Sequence, residues 1–190
     1  MLLIEECLKK QLSGIEQDLC RLVCHSWSTA IPSHWTDPNR LLDYAVLHGN
    51  PELCCFAKEC GATNFNKMLI KATEMGNESL CRLAIEFGAT NFNKMLIKAT
   101  RWGKESMCRL AIEFGATNVN AMLILATQWE NESMCRLAKE LGAPNFNEML
   151  IHATWRGSES MRQLAKELGA TNFDKPFIPA VSYIFHSETI

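Results

Sequence analysis

Two knots of sulfur and imidazole are where this sequence could hold a metal: Cys20, Cys24 and His25 lie close together, and Cys54, Cys55 and Cys60 form a second group. Zinc needs four convergent ligands, usually in paired Cys-x-x-Cys or Cys/His sets, and neither knot has that spacing. Cys54, Cys81, Cys108 and Cys135 instead fall 27 residues apart, at one position of a repeat, and Arg162 takes that position next. No obligatory sulfur chemistry survives such a replacement, so these cysteines are expected to be small packing residues. His25, His34, His48, His152 and His186 share no register with a nucleophile or a carboxylate. No glycine-rich phosphate loop occurs either. The expectation is a protein with no catalytic residues, no metal and no cofactor, and not an enzyme.

The totals narrow the class further. At 190 residues the chain has room for one body and a short appendage. Nineteen Lys and Arg stand against 21 Asp and Glu, a formal charge of −2, so no net field gathers phosphate or anionic lipid. Nucleic acid and membrane are therefore not the expected partners. The nine cysteines are odd in number and unevenly spread, and Glu5 and Glu6 interrupt what would be a leader's apolar run. The reading is a soluble, reduced, intracellular chain of the cytoplasm.

The elements that must position any functional surface are announced by the glycines. Gly61, Gly88, Gly115, Gly142 and Gly169 recur every 27 residues, each opening Gly-Ala-Thr-Asn or Gly-Ala-Pro-Asn. Gly61 to Thr73 is repeated letter for letter at Gly88 to Thr100. Carried backwards, the register makes His34 to Cys60 a diverged first unit, with Leu42, Ala45, Gly49, Leu53, Cys54 and Ala57 matching Leu69, Ala72, Gly76, Leu80, Cys81 and Ala84. Within a unit, Phe65, Met68, Leu69 and Ala72 space as one face of a helix, and Leu80, Leu83, Ala84 and Phe87 as one face of a second. Asn64 or Asn66 can cap the first helix, Gly76 can end it in the left-handed region, and Gly88 can end the second. Neither helix is long enough to stand alone in water, so stacking must stabilise both. The expected fold is all-α: a solenoid of helical hairpins with five units over 34–168, an N-terminal helical cap over 1–33, and a partial capping repeat over 169–190.

Leu69, Ala72, Gly76, Leu80, Leu83 and Gly88-Ala89-Thr90 resemble the ankyrin-repeat consensus. The resemblance departs in length, because ankyrin units run about 33 residues, and the six missing ones would have built the protruding β-hairpin. Lys67-Met68 also stands where the family has Thr-Pro. A leucine-rich repeat could share the period but needs a Leu-x-Leu strand core, which no unit contains. The resemblance implies protein binding, and with the hairpin tips gone the first helices must do it.

Positions that vary while the rest of the unit stays fixed point to the same surface. Lys67, Lys94, Ala121 and Glu148 open the first helices, with Lys71, Lys98, Leu125 and His152 one turn on. Near the helix ends come Glu74, Arg101, Gln128 and Trp155, then Met75, Trp102, Trp129 and Arg156. Exposed tryptophan and arginine are the usual anchors of protein interfaces, so Lys67, Lys71, Lys94, Lys98, Arg101, Trp102, Gln128, Trp129, His152 and Trp155 form the candidate partner-binding surface. The alternative is that Trp102, Trp129 and Trp155 pack between units where hairpins are missing. On the second helices, Arg82, Arg109 and Arg136 are expected to ladder with Glu86, Glu113 and Glu140 at i,i+4.

Ahead of the repeats, Leu2, Leu3, Leu8, Leu12, Leu19, Leu22, Val23 and Trp27 form a pattern that resembles an F-box, most closely in Asp18-Leu19-Cys20-Arg21-Leu22-Val23-Cys24-His25-Ser26-Trp27. It departs from that family in lacking the opening Leu-Pro and about two residues between Asp-Leu and Val-Cys. The resemblance implies docking of a cullin-type ubiquitin ligase adaptor at residues 1–30, and the same leucines would equally cover the apolar end of the first unit. An F-box before ankyrin repeats is similar in architecture to proteins of large DNA viruses, which implies the host cytoplasm. At the other end Pro179 falls inside the expected helix and Ile184 replaces the glycine, so the apolar stretch Phe177 to Phe185 is expected to cap the array, imperfectly, leaving an end that could self-associate. Two functions follow as expectations: a non-enzymatic interaction module, which the F-box resemblance would make a link between a target and the ligase, or a structural module that stacks on copies of itself.

Overall fold

A computed structural model describes residues 37–171, a series of ten α-helices with no strand among them. They are α1 Pro38–Leu47, α2 Pro51–Glu59, α3 Phe65–Met75, α4 Glu78–Glu86, α5 Phe92–Arg101, α6 Glu105–Glu113, α7 Val119–Gln128, α8 Glu132–Glu140, α9 Phe146–Trp155 and α10 Glu159–Leu168. Consecutive helices pair, and the pairs stack in chain order. The fold is an all-α repeat solenoid of five helix pairs, as the 27-residue register requires. The expectations for Leu2, Leu3, Leu8, Leu12, Leu19, Leu22, Val23 and Trp27, and for the tail from Asn172 onward, lie outside the described residues.

Each first helix forms because its apolar residues fall on one side: Met68, Leu69, Ala72 and Thr73 of α3 are buried, and Met95, Leu96, Ala99 and Thr100 repeat the face on α5. The buried threonine is tolerated because its hydroxyl donates to the carbonyl four residues back, Thr73 Oγ1 to Leu69 O at 2.7 Å. Second helices start at an asparagine whose side chain accepts an exposed N–H, as Asn77 does from Leu80 at 3.1 Å. Lys104 in α6 and Ser158 in α10 stand at that position instead, and neither makes a side-chain cap bond.

First helices pack closely against first helices, whereas second helices touch their counterparts sparsely. The stack therefore closes on its first-helix side and splays on the other. A side-chain clasp adds to this closure. Asn66 Oδ1 accepts from Thr90 N at 2.8 Å and Asn91 N at 3.0 Å, both in the following unit. Asn39 and Asn93 do the same, and Asn147 accepts from Thr171 N. The expectation that Asn64 or Asn66 caps its own helix is thus corrected. Asn64 occupies the cap position with no side-chain bond, and Asn66 is spent holding the neighbour.

The fourth unit breaks two of these rules, each by one residue. Pro144 replaces the threonine whose N–H the clasp needs, and a proline has none. Asn120 Oδ1 is buried and without a partner. Asn145 turns its own side chain to Glu148 N instead, at 3.2 Å. The second break is Glu130, the one non-glycine residue with positive φ among those described, at 52°, where the other units have Gly49, Gly76, Gly103 and Gly157. A side chain there costs about 1 kcal/mol. Glu130→Gly will raise the unfolding free energy by about that amount. Urea unfolding of the two chains checks it, and an unchanged midpoint would show the turn to be unstrained.

Candidate functional site

Cys20, Cys24 and His25 lie outside the described residues, and of the second group Cys55 is exposed and Cys60 half-buried, whereas the cysteines at the repeat position pack inside. Cys54, Cys81, Cys108 and Cys135 are fully buried, and the last three sit 3.6, 3.7 and 3.8 Å from the back-bonded threonines Thr73, Thr100 and Thr127. Burial pushes the Cys54, Cys108 and Cys135 thiols up to about 11. Thiols so shifted stay protonated at pH 7, as small apolar packing groups do. Among the described residues no three His, Cys, Asp or Glu side chains group as a metal site. No described helix is long and apolar enough to cross a membrane.

The second-helix charges form a ladder, but not the expected one. Arg82 binds Glu78 at 2.9 Å, four residues before it, and Glu113 at 3.2 Å in the next unit. Arg109 likewise takes Glu105 and Glu140, and Arg136 takes Glu132 and Glu167. Each arginine therefore passes over the glutamate four residues after it and reaches that residue's copy one repeat on, because stacking brings the copy within range. These pairs are solvent-exposed and screened, so they contribute little to stability, and they lie on the outer side, away from the first-helix face.

On that face the structure brings together most of the predicted residues. Trp102 and Trp129, at equivalent positions, are each 59% exposed, and Trp155 is 65% exposed. More than half of each ring faces solvent, so contact between units covers only part of it. Arg101 lies over the Trp129 ring, 5.6 Å from its centroid, which ties the third unit to the fourth. Gln128 and His152 are half-buried.

The lysines are less available than sequence alone implied. Lys67 and Lys71 both pair with Asp43 of the first unit, the latter at 3.3 Å, and Lys98 pairs with Glu74 at 2.7 Å. Lys94 is exposed and makes no ion pair among the described residues. Since two ammonium groups share the Asp43 carboxylate, the α3–α5 part of the face keeps a positive excess.

Two shallow grooves lie along the same face. One, of about 390 Å³, is bordered by Lys67, Ile70, Lys71 and Lys94. The other, of about 400 Å³, is centred on α7 and lined by Ile97, Asn120, Ala121, Ile124, Leu125 and Gln128, with Glu148 at its far rim. Sequence reading placed Lys71, Lys98 and Leu125 at one register but did not find this second groove. The signal was present, since the change from lysine to Ala121 and Leu125 removes both charges from one unit. Compared with known protein families and with curated proteins, the chain matches none.

Proposed function

We propose that this protein is a non-enzymatic protein–protein interaction module that binds a protein target on its first-helix face and acts by proximity. The observation that carries the reading is the exposure of Trp102 and Trp129 at equivalent positions of adjacent units, beside a groove with aliphatic walls. Large aromatic side chains exposed in register are the residue type that anchors interfaces. The ankyrin-like consensus supports the same reading. In this proposal the F-box-like segment, Leu2 to Trp27, recruits a cullin-type ubiquitin ligase adaptor, making the chain a substrate receptor in the cytoplasm.

Pull-downs test both halves. The intact chain retains target and adaptor, a chain lacking residues 1–30 retains target only, and a Trp102→Ala, Trp129→Ala chain loses target at least tenfold while keeping its unfolding midpoint. Undiminished target binding by the double variant would remove this face from the proposal. Adaptor absent from every sample would remove the ligase link and leave a binding array with a structural cap.

A second reading has one observation in its favour. Ile151 is 46% exposed, whereas its equivalents Ile70, Ile97 and Ile124 are half-buried beneath the next unit. An array end of that kind can stack on a copy of itself, making the chain an assembly module. Concentration-dependent sedimentation favours that reading, and a strict monomer removes it.

A further inference from the structure

The net charge of −2 conceals a division that only the fold reveals. On the splayed outer side α4 and α6 each carry two glutamates against one arginine, and on α8 and α10 two glutamates are matched by two cations, so that side is close to neutral. On the first-helix side α5 carries Lys94, Lys98 and Arg101 with no acid, and α3 carries Lys67 and Lys71 against Glu74. Asp43 and Glu74 neutralise only part of this. One unit further along, charge disappears: Ala121 and Leu125 stand where the two preceding units have lysines, and together with Ile97 and Ile124 they line the aliphatic groove. A basic groove and an aliphatic groove thus follow one another on the same face.

Resting on the reading of this face as a protein-binding surface, we infer that its occupant is an extended acidic–aliphatic polypeptide segment. The segment's carboxylates lie over Lys67, Lys71 and Lys94, and its Leu, Ile or Val side chain enters the groove between Ile97, Ile124 and Leu125. The basic groove lies between α3 and α5 and the aliphatic one over α7, so their centres are about one and a half helix spacings, roughly 13 Å, apart. An extended chain covers that distance in about four residues, which fixes the spacing of acid and aliphatic residue. Charge complementarity selects the acid end and suppresses basic partners. A nucleic-acid strand could stack a base on Trp102 or Trp129 but leaves the aliphatic lining of Ile97, Ile124 and Leu125 unmatched, so the peptide fits better.

The test uses the full chain and random twelve-residue peptides displayed on phage, followed by fluorescence anisotropy of the enriched peptides. Leu125→Lys restores the residue that the second and third units carry at that position, so the variant folds, and an unchanged unfolding midpoint verifies it. The expected peptides carry Asp or Glu about four positions from Leu, Ile or Val. Their Kd rises at least tenfold with Leu125→Lys, at least threefold with Lys94→Glu, and with added salt. Enriched peptides that lose binding to Leu125→Lys but show no acidic preference and no salt dependence would overturn this inference and leave the protein-binding face standing. So would peptides sensitive to Trp102→Ala, Trp129→Ala but indifferent to Leu125→Lys. A labelled single-stranded oligonucleotide that binds the wild-type chain and is lost with Lys94→Glu would overturn it in favour of nucleic acid. Absence of any peptide that depends on either set of residues would remove the protein-binding reading as well.

Discussion

Above pH 9 the array will lose stability steeply, by about 3 kcal/mol between pH 9 and 10. The cause is the column of buried thiols. Cys54, Cys108 and Cys135 are raised by burial from an ordinary 9.0 to about 11, and Cys81 is raised as well. The bonds to Thr100 and Thr127 pull the other way but do not offset burial. A raised thiol stays protonated in the folded chain while the unfolded chain ionises. In the window between 9 and 11 the unfolded state therefore binds fewer protons, and each pH unit favours it by up to about 1.4 kcal/mol per thiol. Below pH 9 both states are protonated and the effect vanishes. Urea unfolding at pH 8, 9 and 10 measures it. Cys108→Ala, which removes one of three strongly shifted groups, will reduce the drop by about a third. A flat profile, or a drop unchanged in the variant, would assign the alkaline loss to other groups.

Asn93→Ala will lower the unfolding free energy by about 2 kcal/mol, whereas Asn120→Ala will change it by no more than about 0.5 kcal/mol. The two residues occupy the same register and the same helix position, so propensity and unfolded-state effects cancel in the comparison. What differs is the partner. Asn93 Oδ1 holds Thr117 N at 2.8 Å and Asn118 N at 3.0 Å. Asn120 Oδ1 is buried with none, because Pro144 supplies no N–H. A pair of bonds at about 1 kcal/mol each is lost in the first case, and an unsatisfied acceptor is removed in the second. Pro144→Thr should convert the fourth unit to the behaviour of the third, so that Asn120→Ala in that background becomes costly. Equal losses at Asn93 and Asn120 in the native background would mean that the clasp contributes nothing.

The architecture was legible in the letters because the repeat supplied it several times over. Five copies of Leu or Met, Ala and Gly at fixed spacing leave one helical pairing that buries them all, and local signals such as Asn77 and Gly76 agree with it. The tryptophan surface was legible for a related reason: at positions where the units disagree, burial is not dictating the residue. The partners of long polar side chains were not legible. Asn66 reads as a cap and is an inter-unit clasp; Arg82 reads as the partner of Glu86 and takes Glu113; Lys67 and Lys71 read as partner-binding residues and converge on Asp43.

The sequence by itself determined the period, the two helices per unit, and the buried column of alanine, leucine, methionine and cysteine. Those properties depend on separations along the chain, where 3.6 residues per turn and 27 per unit are enough. The tertiary structure decided which polar groups meet across units, which face keeps its positive charge, and where an aliphatic groove opens beside it. Residues 24 to 31 apart, such as Asn66 with Thr90 and Arg82 with Glu113, come within 3.2 Å only because one unit stacks on the next, and no local pattern encodes the offset of that stacking.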